Sequence, residues 1–515
     1  MGYNHRGEGD VMKTRKTIEF GDFQTPASLA GSVCRLLAKR GLTARSVIEP
    51  TCGKGHFLFA ALAQFPGIQK AVALDINPEH IAQVRSSLNN YSHGTAFEIL
   101  QGNFFDTDWR TILAGLPEPI LIIGNPPWVT NADLGVLGSS NLPEKTNFQN
   151  HDGIDALTGK SNFDISEWIL MKILELLNGR DAVVAMLCKT SVARKVLAHA
   201  WKSEISLLNA SLYAIDAPAH FGATVSACLL ACQGSRSGGN RTCPVYTGLE
   251  MREPAEVIGY QDGMVIASIK KYEELKHLKG DEIYKWRSGI KHDCSSIMEL
   301  RKEGDRYRNG LGAFVQLEDE YIYPMLKSSD IASGRVVVPR RWMVVPQRFV
   351  GEDTGKIAKR APKTWKYLQS YAEMLSGRKS RIYRRRPQFS IFGVGDYSFS
   401  PWKVAISGLS KRLRFRKLGP HLGKPIVFDD SCYFVSCHSE READCIEHLL
   451  SSSMASDFYE SFLFWDAKRP ITVDLLRKLD LRRLADALGK RDQLRLLLEP
   501  GKNGRIPVIP QPCRS

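Results

Sequence analysis

Through the first 232 residues short apolar runs alternate with longer amphipathic stretches. Ser46-Val47-Ile48-Glu49-Pro50, Ala71 to Asp75, Ala96 to Leu100, Ile120 to Gly124 and Ala182 to Cys188 read as strands, several apolar enough to be buried on both faces. Thr25 to Lys39, His56 to Gln64, Glu79 to Leu88 and Ser166 to Leu177 carry apolar residues at helical spacing. Pro26 suits a first helical turn, and Asn178-Gly179 ends the last of these helices. Val225 to Cys232 is a further strand, so Cys228 and Cys232 are expected to be buried in it. This alternation predicts a mostly parallel sheet with helices on both faces, and such sheets bind ligands at the carboxyl ends of their strands.

Beyond Gly234-Ser235-Arg236-Ser237-Gly238-Gly239-Asn240 the pattern loosens. Arg335 to Val345, Lys403 to Ile406 and Cys432 to Val435 are strand-like, and Ser439 to Ala485 is more helical. The chain therefore divides into an N-terminal tail (1–20), an α/β domain (21–232), a flexible linker (233–242) and a mixed α/β domain with a helical tail (243–515). A length of 515 residues fits two or three domains, and 43% hydrophobic with 24% charged residues excludes wholesale disorder. No run approaches the roughly 20 apolar residues of a membrane span, and the N-terminus has no signal core, so a cytoplasmic protein with no membrane partner is expected. The 11 cysteines are scattered without a CxxC pair, which predicts reduced thiols and no metal site.

Charge divides the halves. Residues 1–240 hold 21 basic and 21 acidic residues, whereas 241–515 hold 49 and 34, so the whole excess of +15 lies in the second half. A neutral chemical module beside a polyanion-binding module is one reading, and general solubility is the other.

The strand ends carry the candidate chemistry. Glu49-Pro50-Thr51-Cys52-Gly53-Lys54-Gly55 is a Gly-x-Gly turn that lets a ligand approach the backbone, and Glu49 suits a ligand with an ammonium group. Asp75, about 20 residues on, is placed to bind ribose hydroxyls or to cap the next helix. Asn103 and Phe104 suit the edge and face of an adenine. In Ile123-Gly124-Asn125-Pro126-Pro127-Trp128 a buried strand breaks into two prolines between an amide and an aromatic. The prolines remove N–H donors, so carbonyls are left as acceptors, and Trp128 offers a flat face to a planar amine.

In order, Phe23-Gln24-Thr25-Pro26, the Glu49 to Gly55 turn, Asp75, Gly102-Asn103-Phe104 and Asn125-Pro126-Pro127-Trp128 resemble the gamma-class adenine-N6 DNA methyltransferases. Asn103 stands where that family commonly has Asp, and Trp128 where Tyr or Phe is more frequent. The resemblance implies a Rossmann-like class I methyltransferase domain that binds S-adenosylmethionine through Thr25, Glu49, Pro50, Gly53, Gly55, Asp75, Ile76, Asn103, Phe104 and Asn125. It implies catalysis by Asn125, Pro126, Pro127 and Trp128, with a flipped-out adenine held between Trp128 and Phe221. Phe221 belongs to Phe221-Gly222-Ala223-Thr224-Val225, which resembles a later motif of the family, and Phe464 to Thr472 resembles the end of its specificity part.

The second half would then be a target-recognition domain for double-stranded DNA. Arg378, Lys379, Arg381, Arg384, Arg385 and Arg386 form one basic run and Lys411, Arg412 and Arg414 belong to another, both suited to phosphates. The resemblance also implies a prokaryotic or phage setting, in restriction–modification, host defence or epigenetic marking, with a separately encoded cognate restriction endonuclease as a candidate partner. The alternatives are a methyltransferase acting on RNA or a protein glutamine, a bifunctional restriction–modification enzyme, and a non-catalytic DNA-binding subunit.

Overall fold

A computed structural model describes residues 24–498 apart from 90, 92–93, 130–163, 237 and 335–337. The chain forms two compact units that divide between Ile269 and Lys270.

In the first unit the order is α1 (Ala27–Lys39), β1 (Ser46–Glu49), α2 (His56–Gln64), β2 (Lys70–Asp75), α3 (Pro78–Leu88), β3 (Ala96–Gln101), α4 (Trp109–Ala114) and β4 (Ile120–Gly124). Then follow α5 (Ile165–Leu176), β5 (Ala182–Lys189), α6 (Thr190–Lys202), β6 (Leu207–Ile215), α7 (Ala217–Phe221), β7 (Ala227–Gly234), β8 (Thr242–Tyr246), β9 (Glu256–Gln261) and β10 (Met264–Ile266). All ten strands make one sheet, ordered β10-β9-β8-β6-β7-β5-β4-β1-β2-β3. Strands β1 to β5 pair in parallel, and β7 inserts antiparallel between β5 and β6. The expected α/β class is thus observed.

Alternation along the central strands supplies two cores. Val47, Ala71, Ala73, Leu121 and Ile123 face Leu29 and Val33 of α1, Phe57 and Leu58 of α2 and Val84 of α3. Ile48 and Ile122 point the other way, towards Trp109 and Leu113 of α4 and Ile173 of α5. Asn77 caps α3 by accepting the Glu79 N–H at 2.9 Å, with Pro78 in its first turn. Pro26 sits at the N-cap position of α1, just before the helix and not inside it.

The boundary differs from the sequence reading. The stretch 233–242 runs from the end of β7 to the start of β8 in the same sheet, and so lies inside the first unit rather than between the two units. Asn240 donates its N–H to the Leu207 carbonyl at 2.7 Å, and a Cβ on Gly239 would lie 2.8 Å from the Leu207 nitrogen. Gly239 thus serves close packing against β6, and Gly234 packs against the Arg180 carbonyl, where a Cβ would come within 2.7 Å.

The second unit holds two sheets. The strands are β11 (Arg287–Ser288), β12 (Glu299–Glu303), β13 (Arg306–Asn309), β14 (Phe314–Val315), β15 (Ile322–Leu326), β16 (Arg341–Val344), β17 (Trp402–Ser407), β18 (Arg416–Leu418), β19 (Val427–Phe428) and β20 (Cys432–Cys437). Six form the order β14-β13-β12-β16-β15-β19, and four form β11-β20-β17-β18. Helices Glu440–Leu450, Ser453–Glu460, Val473–Leu476, Leu481–Ala487 and Arg491–Leu498 make the expected helical tail and share a core with Val404, Ile406, Tyr433 and Val435. Among the described residues no helix is long and apolar enough to cross a membrane.

Candidate active site

Strand β1 lies between β2 and β4, so the chain builds outward to β3 and then returns to the other side of β1. The crevice at such a reversal is where α/β sheets hold ligands. Here it is a cleft of about 830 Å³, open at its mouth. Thr25, Glu49, Pro50, Gly53, Asp75, Ile76, Phe104 and Asn125, all singled out from the sequence, line it together. So do Gln24, Thr51, Phe105 and Pro127.

Two carboxylates organise its floor. Glu49 is buried, and its Oε2 accepts the Leu58 N–H at 2.9 Å, in the first turn of α2 where backbone N–H groups have no partner within the helix. Burial pushes its carboxyl well above the usual range; the Leu58 and Phe57 amides oppose this, and nearby Asp75 adds to it. Asp75 Oδ2 accepts the Gly53 N–H at 2.7 Å and Oδ1 accepts the Asn77 N–H at 2.8 Å, with His80 Nδ1 3.4 Å from Oδ1. Asp75 therefore ties the glycine turn to the end of β2, and each oxygen keeps a further lone pair for a ligand.

Two candidates sit elsewhere than the sequence reading placed them. Gly55 has φ +77°, but a Cβ there would meet Phe59 and Val84 at 3.0 Å; it serves the packing of α2 on α3 and does not line the cleft. Gly53, at φ +51°, is the glycine of the cleft, where a Cβ would come 2.7 Å from Gln24 Oε1. Asn103 also lies outside the lining: its Oδ1 accepts the Phe105 N–H at 3.0 Å and shapes the turn that presents Phe104 and Phe105. Phe105, which directly follows Phe104, has no signal of its own in the sequence.

Asn125 and Pro127 leave β4 along the cleft wall, while Pro126 and Trp128 are buried. The Trp128 carbonyl accepts from Lys189 Nζ at 3.0 Å, and the same ammonium pairs with Asp164 Oδ2 at 2.6 Å. Asp164 caps α5 through Ser166 N at 3.1 Å, and Ile165 donates its N–H to the Val129 carbonyl at 3.0 Å. The proline turn is thus clamped between the end of β5 and the start of α5. Neither Lys189 nor Asp164 was marked from the sequence; a lone cation closing the buried run Ala182 to Cys188 was the available signal. Phe221 closes α7 just before Gly222 (φ +64°). Its ring packs edge to face on Trp128, with centroids 5.2 Å apart, so no base fits between the two rings as they stand.

No family model matches the chain. The type II methyltransferase M.NspV of Nostoc sp. (strain ATCC 29411 / PCC 7524) is 43% identical over 480 residues, covering 93% of this chain and 99% of that protein. This chain belongs to the type II methyltransferases. M.XamI of Xanthomonas campestris pv. amaranthicola, another type II methyltransferase, is 30% identical over 115 residues, 22% of this chain and 21% of that protein. The type IIL restriction-modification enzyme MmeI, solved in complex with DNA, shares the fold at TM-score 0.51 and 14% identity, over 92% of this chain and 67% of that chain.

In this methyltransferase the two basic runs are not uniformly available to a polyanion. Arg378 is turned inward, donating to the carbonyls of Leu375 (2.6 Å), Ser390 (2.8 Å) and His292 (3.1 Å) and lying over the Tyr383 ring. Lys411 donates to the Trp465 and Ala467 carbonyls, and Arg414 to those of Ala332 and Ser333. Lys379, Arg381, Arg384, Arg385, Arg386 and Arg412 are exposed, as are Lys411 and Arg414 despite these contacts.

Proposed function

We propose that this type II methyltransferase methylates the N6 amino group of an adenine extruded from duplex DNA, as the modification enzyme of a restriction–modification system with a separately encoded endonuclease. The observation that carries the reading is the convergence of Asn125 and Pro127 with Glu49, Asp75, Phe104 and Phe105 in one cleft. The cleft's chemistry fits S-adenosylmethionine: carboxylates for an ammonium and for ribose hydroxyls, aromatic rings for the adenine, and a covered Thr51 hydroxyl with no hydrogen-bond partner among the described residues. S-adenosylmethionine supplies a methyl group on a sulfonium sulfur, which departs as a neutral thioether.

The protein's part is positioning and preorganised polarity. A base amino group is out of reach inside the stack, so the adenine must flip out. The Asn125 side chain and the Pro126 carbonyl accept its two N6 hydrogens, turning the nitrogen lone pair towards the methyl group. Once N6 is methylated, its surplus proton leaves to solvent. Lys189 and Asp164 hold the turn, while Phe221 swings off Trp128 to admit the base and then covers its second face. Incubating the full chain with methyl-labelled S-adenosylmethionine and equal masses of duplex DNA, RNA and protein tests the substrate class. Label is expected in DNA alone; label in RNA or protein would replace this reading by one of the alternatives.

A further inference from the structure

The register of the six-stranded sheet brings together residues far apart in sequence. Arg301 on β12 lies directly opposite Arg308 on β13 and directly opposite Arg341 on β16. Three guanidinium groups therefore stand in a row across one face, spanning about 10 Å at the usual interstrand spacing. The neighbouring positions Leu300 and Trp342 are buried on the opposite face. The row lines an open groove of about 1140 Å³.

The outer arginines are held in place. Arg308 donates through Nε to the Gly312 carbonyl at 3.2 Å and lies 3.6 Å from Glu303; Arg341 contacts Asp330 at 3.1 Å. The other carboxylate of the groove, Glu299, is engaged by Lys327 at 2.7 Å. The Arg301 side chain, exposed and central, makes no hydrogen bond or ion pair with any described residue. Like charges directly opposite one another destabilise a sheet, so this arrangement costs stability in the isolated protein and is relieved by an anion lying across it.

Resting on the DNA reading above, we infer that this sheet face grips the phosphodiester backbone of duplex DNA, with Arg301 as the central contact. The surplus positive charge of the chain lies in this half, and phosphate contacts position a duplex without reading its sequence. Neither of the two basic runs contributes to the groove.

The test uses the full chain, a fluorescent duplex of arbitrary sequence about 30 base pairs long, and anisotropy titrations from about 50 to 200 mM salt. Arg301→Ala is expected to weaken binding about three- to tenfold and to reduce the log–log salt slope by about 0.9, one phosphate contact. Arg301→Lys should keep the slope, Arg301→Glu should weaken binding further, and the Arg301→Ala melting temperature should not fall. Wild-type affinity and slope in Arg301→Ala would overturn the inference. So would a loss confined to duplexes carrying the methylation site with an unchanged slope, which is base reading. Wild-type protein that binds DNA through Arg301 yet methylates no base in unmodified genomic duplex DNA would sink the proposed function and leave this inference standing.

Discussion

The rings of Trp128 and Phe221 meet edge to face, 5.2 Å between centroids and 70° between planes. A base sandwiched between two parallel rings needs about 7 Å, two contacts of roughly 3.5 Å. On the proposed reading Phe221 fills the place of the flipped base and covers it once it enters, with Gly222, in the left-handed region directly after it, as the pivot. Phe221→Ala should lower kcat/KM for methylation about ten- to a hundredfold, the worth of one stacking partner, with cofactor affinity unchanged. Steady-state kinetics with the wild-type rate in Phe221→Ala would refute a stacking role.

Lys189 acts through the turn it holds. Its ammonium bridges the Trp128 carbonyl and Asp164, and Asp164 caps α5. Lys189→Met should depress kcat by at least about tenfold while leaving S-adenosylmethionine binding intact, because small displacements of reacting groups are costly. Asp164→Ala should in addition destabilise the protein by about 1 to 2 kcal/mol through the lost cap. Comparing kcat, cofactor Kd and thermal melting for both variants checks this; equal losses of kcat and cofactor affinity would not fit.

If Glu49 faces the cofactor's ammonium, as proposed, cofactor binding depends on pH. Burial, reinforced by Asp75, raises its carboxyl above the usual range, and a cationic ligand beside it would favour the ionised form. Cofactor affinity should rise with pH through the Glu49 titration, and calorimetry in buffers of different ionisation heat should record proton release. Glu49→Gln should abolish that release. Proton uptake on binding would contradict this account.

Lys403 is buried beside the Phe434 ring and donates to the Ser400 carbonyl at 2.6 Å. Burial pulls its ammonium down to about 7. Between there and the ordinary lysine value of about 10.4 the unfolded chain binds the proton and the folded one does not, so this group makes stability rise with pH. The burial cost is present in full below the folded value and has vanished above the unfolded one. The stability advantage of Lys403→Met over wild type should therefore shrink from pH 7 to pH 9.5 in denaturant titrations; a constant difference would contradict the assignment.

The site was legible where a motif follows a buried strand. Glu49, Asp75 and Asn125 each end or directly follow a parallel strand, and a parallel sheet gathers such ends in one place. Asn103 lies outside the cleft lining, and an amide that closes a turn looks in sequence like one that points at a ligand. The glycines of 233–242 looked like a linker, since sequence does not show that β6 runs alongside them. Charge runs likewise hide direction: Arg378 caps three carbonyls while Lys379 beside it faces solvent. Arg301, Arg308 and Arg341 become a row only through strand register, which no local pattern encodes.

The central claim is that Asn125, on the wall of the cofactor cleft, directs a methyl group to adenine N6. The direct test digests duplex DNA after reaction with labelled S-adenosylmethionine and identifies the labelled nucleoside, for wild type and for Asn125→Ala. The account predicts N6-methyladenine from the wild type, and from Asn125→Ala retained cofactor binding with transfer reduced at least about a thousandfold. Wild-type turnover by Asn125→Ala, or label on cytosine, would contradict it.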